Sequence, residues 1–201
     1  MHNERDLIEA LRRQDAAAFA TLFDSFSDKI YRLAVGLVGD EAEAEGIVQD
    51  SFLKLFEKLE QFEGRAKLGT WLYRVAYNAS IDRLRKRRPV QPLFEEDADA
   101  TPVFPAILTD WSRAPEVLFA SAEAQAELEQ SIAELPERLR STFILREMEG
   151  LSTAETAEVL EIKAGAVKVQ LHRARLMLRE RLSNYFGERI LATGGKTVNG
   201  M

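Results

Sequence analysis

Apolar residues recur three and four positions apart along most of the chain, which is the spacing of one face of an α-helix. The segments with this spacing are 4–38, 41–60, 71–87, 117–134, 137–149, 152–160 and 164–185. Glycines at Gly36 and Gly39 predict a break near the end of the first segment. Because no segment alternates between apolar and polar residues as a half-buried strand does, the sequence predicts an all-α protein.

Proline divides the chain into two helical parts. Five of the six prolines lie in residues 89–115, a stretch that lacks glycine and carries a net charge of −4. This composition predicts a stiff, extended acidic linker, and its apolar residues favour a segment that binds a partner over a plain spacer. We therefore predict a helical domain at 1–88, the linker at 89–115, a second helical domain at 116–186 and a flexible tail at 187–201.

Composition excludes several classes of function. Apolar residues make up 46% and charged residues 30% of the 201 residues, which is typical of a globular protein. The chain has no cysteine and two histidines, His2 and His172, which leaves little for a catalytic triad or a metal site. We therefore predict neither an enzyme nor a bound metal or cofactor. A polar N-terminus and the lack of a long apolar run predict a cytoplasmic protein without membrane insertion.

A net charge of −6 conceals two basic segments. Residues 71–88 carry a local charge of +5, and residues 163–181 carry the same. A run of charge is often only a solvated face, but one basic segment in each half indicates two surfaces for a polyanion.

The second half has the pattern of a helix-turn-helix. Gly150 predicts the stop of one helix, and Ser152 with Glu155 predicts a capping box that opens a short one. A tight turn leads into a long helix with the apolar stripe Val167, Leu171, Ala174 and Leu178. Its other side is basic, with Lys168, His172, Arg173, Arg175 and Arg179 around Val169. This pattern predicts a helix that enters a major groove, and the alternative is a structural hairpin with a basic solvent face.

The helix at 70–88 places aromatic residues beside cations and an amide. Trp71, Tyr73 and Tyr77 are interleaved with Arg74 and Asn78. Aromatic stripes are more often part of a core. Stacking rings beside an amide and cations are nevertheless typical of a surface that reads single-stranded or flipped bases.

Several strings in the chain resemble the extracytoplasmic-function (ECF) branch of the sigma-70 family of bacterial RNA polymerase sigma factors. In the first half these are residues 15–23, AEGIVQDSFLKLF at 44–56, and TWLYRVA at 70–76 followed by Asn78 and Asp82. In the second half they are Leu135-Pro136, Arg146-Glu147, Gly150-Leu151-Ser152, Gly165-Ala166-Val167-Lys168 and Arg173-Ala174-Arg175. The resemblance implies a region 2 helical bundle and a region 4 helix-turn-helix, with core RNA polymerase, promoter DNA and an anti-sigma factor as partners.

The resemblance also implies a role for individual residues. The residues expected to contact core polymerase are Glu45, Gln49, Asp50, Leu53 and Phe56. Those expected at the −10 element are Phe62, Gly64, Lys67, Trp71, Arg74, Tyr77, Asn78 and Arg85. Those expected at the −35 element are Arg146, Lys163, Lys168, Val169, His172 and Arg173. The chain departs from the family's pattern at Gly46, Gly69 and Tyr77.

Two other functions compete with this interpretation. One is a helix-turn-helix transcriptional regulator with an unrelated N-terminal sensing domain. That regulator binds duplex DNA and has no use for stacking aromatics beside Asn78. The other is a nucleic-acid enzyme, and the sequence lacks the clustered aspartates or metal-ligand spacing that it needs.

Overall fold

The computed structural model describes residues 4–62, 64, 66–87 and 122–194. The helices of the first domain are α1 (Glu4–Arg12), α2 (Ala16–Val38), α3 (Glu41–Lys58) and α4 (Leu68–Arg87), with a 3₁₀ turn at Leu59–Gln61 after α3. The helices of the second domain are α5 (Ala122–Ala133), α6 (Glu137–Phe143), α7 (Thr153–Leu160) and α8 (Ala164–Gly194), with a π-helical turn at Ile144–Met148 after α6. The described residues contain no strand, and the all-α prediction is confirmed. The predicted linker at 89–115 lies outside the described residues.

The first domain forms around α2, α3 and α4, which pack against one another. The second forms around α6, α7 and α8, and the apolar stripe predicted for α8 is buried throughout. Burial of these large aliphatic side chains supplies most of the free energy that holds each bundle together.

Helix α2 continues without interruption through Gly36 and ends at Val38, where Gly39 caps it with a left-handed φ of 68°, so the predicted break lies at Gly39 and not at Gly36. A Cβ built on Gly36 would lie 2.7 Å from Cδ1 of Ile144, a residue of the second domain. Glycine in a helix costs about 1 kcal/mol relative to alanine. Here Gly36 allows the helical turn that contains Ile144 to approach α2 closely, and it does not end α2.

Two further boundaries differ from the sequence pattern. Helix α4 begins at Leu68, where the backbone N–H donates to Glu4 Oε1 of α1 and so gains a partner that an open helix end lacks. Helix α8 continues to Gly194, through the first residues of the predicted tail. Glu188, Leu191 and Ala192 are residue types with high helix propensity, which agrees with this extension.

The two domains contact each other. Helix α4 packs against α7, and α2 packs against α5 and α6, so that one apolar core extends across both domains. The prediction of an extended linker between the two domains gave no indication of this contact.

Candidate functional site

The outer face of α3 carries the residues expected to contact polymerase. All five of them are exposed, namely Glu45, Gln49, Asp50, Leu53 and Phe56. The opposite face of α3 is buried in the first domain. Leu53 is 61% exposed and Phe56 44%, which is unusual for side chains of this size and favours a docking role.

Aromatic side chains extend this exposed face onto α2. The Phe19 and Phe56 rings lie 4.7 Å apart between centroids, and the Phe23 and Phe52 rings lie 4.9 Å apart. Phe23 is also exposed. We call Phe19, Phe23, Leu53 and Phe56 the apolar patch. Such a patch, rimmed by polar residues, is typical of a protein–protein interface.

Gly46 leaves space for an arginine that ties α4 to α3. A Cβ at this position would lie 2.9 Å from Nη1 of Arg83. That guanidinium donates to the Glu43 carbonyl and to Asp50 Oδ2, each at 2.7 Å. The first departure from the family's pattern therefore makes room for an ion pair that orients Asp50 beside the apolar patch.

Gly69 makes room for an aromatic ring in the same way. A Cβ here would lie 2.7 Å from Cε1 of Phe26 on α2. The Phe26 ring also packs edge-on against Tyr73 at 6.4 Å and carries the Lys29 ammonium 5.1 Å from its centroid. A larger residue at position 69 would displace this ring from the start of α4.

The loop before α4 holds three of the residues expected at the −10 element, and Trp71 follows in the first turn of the helix. Phe62 packs edge-on against Trp71 at 6.3 Å, and Gly64 adopts a φ of 69°, a left-handed conformation that favours glycine. Lys67 is exposed at the end of the loop, one residue before α4 begins. Aromatic rings beside a cation match the chemistry of a base-stacking surface.

Helix α1 holds both ends of this loop, a role that sequence reasoning missed. Arg12 Nη2 donates to the Phe62 carbonyl at 2.7 Å, and Glu4 accepts from the Leu68 N–H. No local pattern marks either residue, because each partner lies at least 50 residues away in the sequence.

The aromatic residues further along α4 differ in exposure. Asn78 and Arg85 are exposed, whereas Arg74 and Tyr77 are half-buried. Tyr73 is 4% exposed and its hydroxyl donates to Glu149 Oε2 at 2.9 Å. Burial, with the nearby Glu149 carboxylate, raises the pKa of this hydroxyl far above its ordinary value. Tyr73 is thus a core residue, so the prediction that groups Tyr73 with the stacking aromatics is wrong.

The helix-turn-helix of the second domain has the predicted construction. Ser152 and Glu155 form the capping box at the start of α7. Glu161 ends α7 with a left-handed φ of 55°, and a short turn leads to α8. Lys163, Lys168 and Arg173 are exposed, and Val169 and His172 are half-buried. Three of the residues predicted for the −35 element are therefore exposed on α8 and the turn before it.

Arg146 has a structural partner within its own domain. Its Nη1 donates to the Leu151 carbonyl and so closes the turn between the π-helical segment and α7. Arg175 also faces inward and pairs with Glu147 at 2.8 Å. Arg175 thus belongs to the inner side of α8, whereas Lys168 and Arg173 belong to its exposed outer side.

Within the part of the chain that the structure describes, no cluster of side chains is suited to hold a metal ion. No helix among the described residues is long and apolar enough to cross a membrane.

The described residues form two helical domains, with an exposed apolar patch on α2 and α3 and exposed cations on α4 and α8. Its sequence matches the family models Sigma-70 region 2 over residues 22–90 and Sigma-70, region 4 over residues 125–178. The ECF RNA polymerase sigma factor SigW of Bacillus subtilis is 36% identical over 177 residues, which cover 87% of this chain and 94% of SigW. The RNA polymerase sigma-H factor of Pseudomonas aeruginosa is 36% identical over 175 residues, which cover 86% and 90%. The chain belongs to the ECF branch of the sigma-70 family.

Solved structures share the fold. CnrH, in its complex with the cytosolic domain of CnrY, superposes with a TM-score of 0.65 at 22% identity, covering 90% of this chain and 97% of CnrH. The sigma factor RpoE, in complex with the anti-sigma factor NepR from Bartonella quintana, gives 0.60 at 21% identity, covering 82% and 96%.

Proposed function

We propose that this chain binds bacterial core RNA polymerase and directs promoter recognition and DNA melting at transcription initiation. The observation that carries the proposal is the coexistence of an exposed apolar docking patch with a base-stacking surface and a basic recognition helix. Similarity over both halves to sigma factors supports it and disfavours a regulator with an unrelated N-terminal domain. The chain supplies binding, and the polymerase supplies the chemistry.

The polymerase surface is the outer face of α3. We assign to it Glu45, Gln49, Asp50, Leu53 and Phe56, all of which are exposed on one helix. Apolar side chains of the patch would supply the buried centre of the interface, and the acidic and amide residues its polar rim.

The −10 surface is the loop before α4 and the exposed side of that helix. We assign to it Phe62, Gly64, Lys67, Trp71, Arg74, Tyr77, Asn78 and Arg85. Rings stack on bases, the Asn78 amide reads a base edge, and the cations hold phosphates.

The −35 surface is the outer face of α8 with its preceding turn. We assign to it Arg146, Lys163, Lys168, Val169, His172 and Arg173. Of these, the exposed Lys163, Lys168 and Arg173 are best placed to reach a duplex, and Arg146 acts chiefly by closing the turn.

An anti-sigma factor is a further proposed partner. CnrH and RpoE, which share the fold, were solved with CnrY and with an anti-sigma factor, respectively. A chain of this kind presents surfaces that an inhibitory partner can cover.

The apolar patch gives the direct test. We expect Leu53→Ala and Phe56→Ala each to weaken binding to core polymerase by about tenfold, because truncating a buried interface anchor costs more than about 1 kcal/mol. Their neighbours Lys54→Ala and Glu57→Ala are matched controls on the same exposed helix. Binding is measured by fluorescence titration, and run-off transcription on a promoter library measures activity. Equal affinity of all four variants would contradict the assigned surface.

A further inference from the structure

Helix α1 contacts the loop before α4 at both of its ends. The last residue of α1, Arg12, donates from Nη2 to the Phe62 carbonyl at 2.7 Å, and its Nε lies 3.5 Å from the Leu59 carbonyl. The first residue of α1, Glu4, accepts from the backbone N–H of Leu68, where α4 begins. The two ends of one short helix therefore hold the two ends of one loop.

The length of α1 fixes the distance between these two contacts. An α-helix rises about 1.5 Å per residue, so Glu4 and Arg12 are about 12 Å apart along the helix axis. The chain from Phe62 to Leu68 can reach about 20 Å when it is fully extended, at about 3.3 Å per residue. The loop is therefore longer than the span that α1 sets, and its own length does not determine where its ends lie.

Helix α1 is itself held against the first domain. Leu11 is 2% exposed, and Leu7 and Ile8 pack against the same core. The turn after α1 is also defined, because the Gln14 N–H donates to the Leu11 carbonyl at 2.9 Å and Asp15 caps the start of α2. Both charged ends of α1 thus project from a helix whose position the core sets.

The contacts at the ends of the loop determine where two aromatic rings lie. The main chain of Phe62 is held on both sides, because its N–H donates to the Leu59 carbonyl at 3.1 Å and its carbonyl accepts from Arg12. The Phe62 ring packs edge-on against Trp71 at 6.3 Å, and Trp71 lies in the first turn of α4, which begins at Leu68. Holding Phe62 and Leu68 therefore holds both rings of the pair.

Discrimination between bases depends on such placement more than overall affinity does. Cations hold phosphates whatever the sequence, whereas the groups that read a base must stay within about 0.5 Å of their working positions. Specificity is a difference between two affinities. A loop whose ends move still binds a strand through its cations, but it loses the contacts that separate one base from another.

We propose that α1 positions the −10 surface, and that Glu4 and Arg12 determine how well the chain discriminates between bases at the −10 element. This inference rests on the proposed function, which assigns base reading to that surface. Both are positioning residues that act through the Leu68 N–H and the Phe62 carbonyl. Neither is among the residues assigned to bind DNA.

Discrimination is measured with the chain bound to core polymerase, on fork-junction promoter fragments whose single-stranded −10 element is randomised. Sequencing of the bound fraction gives the affinity ratio between the preferred base and the others at each position. We expect Arg12→Ala and Glu4→Ala each to lower this ratio by about fivefold, which is the effect of losing one net hydrogen bond. Discrimination at the −35 element and affinity for core polymerase should be unchanged, because those surfaces lie on other helices.

Three control variants separate positioning from a loss of charge or of stability. Arg13→Ala removes the same charge at the next residue, which is exposed. Glu4→Gln keeps an oxygen that accepts from the Leu68 N–H. Ile30→Val makes a small cavity in the core of the same domain without removing either hydrogen bond. All three should discriminate as the wild type does, and circular dichroism shows whether each variant keeps its helices.

A second measurement reports the loop itself. Trp71 and Trp111 are the two tryptophans of the chain, so Trp111→Phe leaves Trp71 as the single reporter. Adding Arg12→Ala to this background should increase the quenching of Trp71 emission by acrylamide, because the Phe62 ring is no longer held against the indole. Adding Arg13→Ala should not.

Two outcomes would overturn the proposal. One is a folded Arg12→Ala chain with the Trp71 quenching and the −10 discrimination of the wild type. The other is an equal loss of discrimination in Ile30→Val, which would show that any loosening of the domain is enough. If quenching rises as expected but the wild type has no preference at the −10 element, the proposed function fails while the positioning of the loop by α1 stands.

Discussion

Asn78 lies on the exposed side of α4, while the neighbouring Tyr77 turns partly into the protein. A side-chain amide can form two hydrogen bonds with one base edge. Gly46 and Gly69 act in another way, by leaving space for a neighbouring side chain. Arg83 fills the space beside Gly46, and Phe26 fills the space beside Gly69.

We expect Asn78→Ala to weaken open-complex formation while core polymerase binding is unchanged. Removing one bidentate pair of hydrogen bonds to a base costs about 1–3 kcal/mol. Permanganate footprinting at limiting concentration measures melting, and titration with core polymerase is the internal control. Unchanged melting would show that this side of α4 does not read a base.

At the scale of the element, the outer face of α8 carries the electrostatic prediction. The double substitution Lys168→Ala with Arg173→Ala should sharply weaken duplex binding and flatten its salt dependence. For each phosphate that the variant no longer neutralises, the slope of log affinity against log salt falls by about 0.9. Filter binding across a salt series gives the slope.

The control for this pair removes the same charge elsewhere. Lys54→Ala with Lys58→Ala takes two exposed cations from α3 and should leave the slope unchanged. If both double variants shift the slope equally, α8 contributes only to the overall charge of the molecule.

The elements themselves could be predicted from the sequence where the pattern is local. The stripe from Val167 to Leu178 and the capping box at Ser152 depend on residues within a few turns of one another, and both are confirmed. The contacts of Arg12 with Phe62 and of Tyr73 with Glu149 join residues 50 and 76 positions apart. Periodicity carries no information about such pairs, so it shows neither the burial of Tyr73 nor the role of Arg12.

At the scale of the whole molecule, the resemblance to sigma factors implies that two domains read promoter elements about 70 Å apart, or two turns of duplex at about 35 Å each. The 27 residues of 89–115, which lie outside the described residues, can span at most about 90 Å at about 3.3 Å each. The length of this segment therefore limits how far apart the two domains can bind on promoter DNA.

We expect deletion of residues 95–104 to abolish transcription from two-element promoters. The remaining reach of about 56 Å, at the same length per residue, is shorter than the separation of the elements. Both domains should stay folded, which circular dichroism and polymerase binding check. Normal initiation at unchanged promoter spacing would show that this segment does not bridge the elements.

The ion pairs between the two domains have a consequence for exchanging domains between related chains. Arg32, Lys67 and Arg74 of the first domain pair with Glu149, Glu155 and Glu161 of the second. A chimaera that takes its second domain from a relative must therefore supply matching carboxylates to keep this contact.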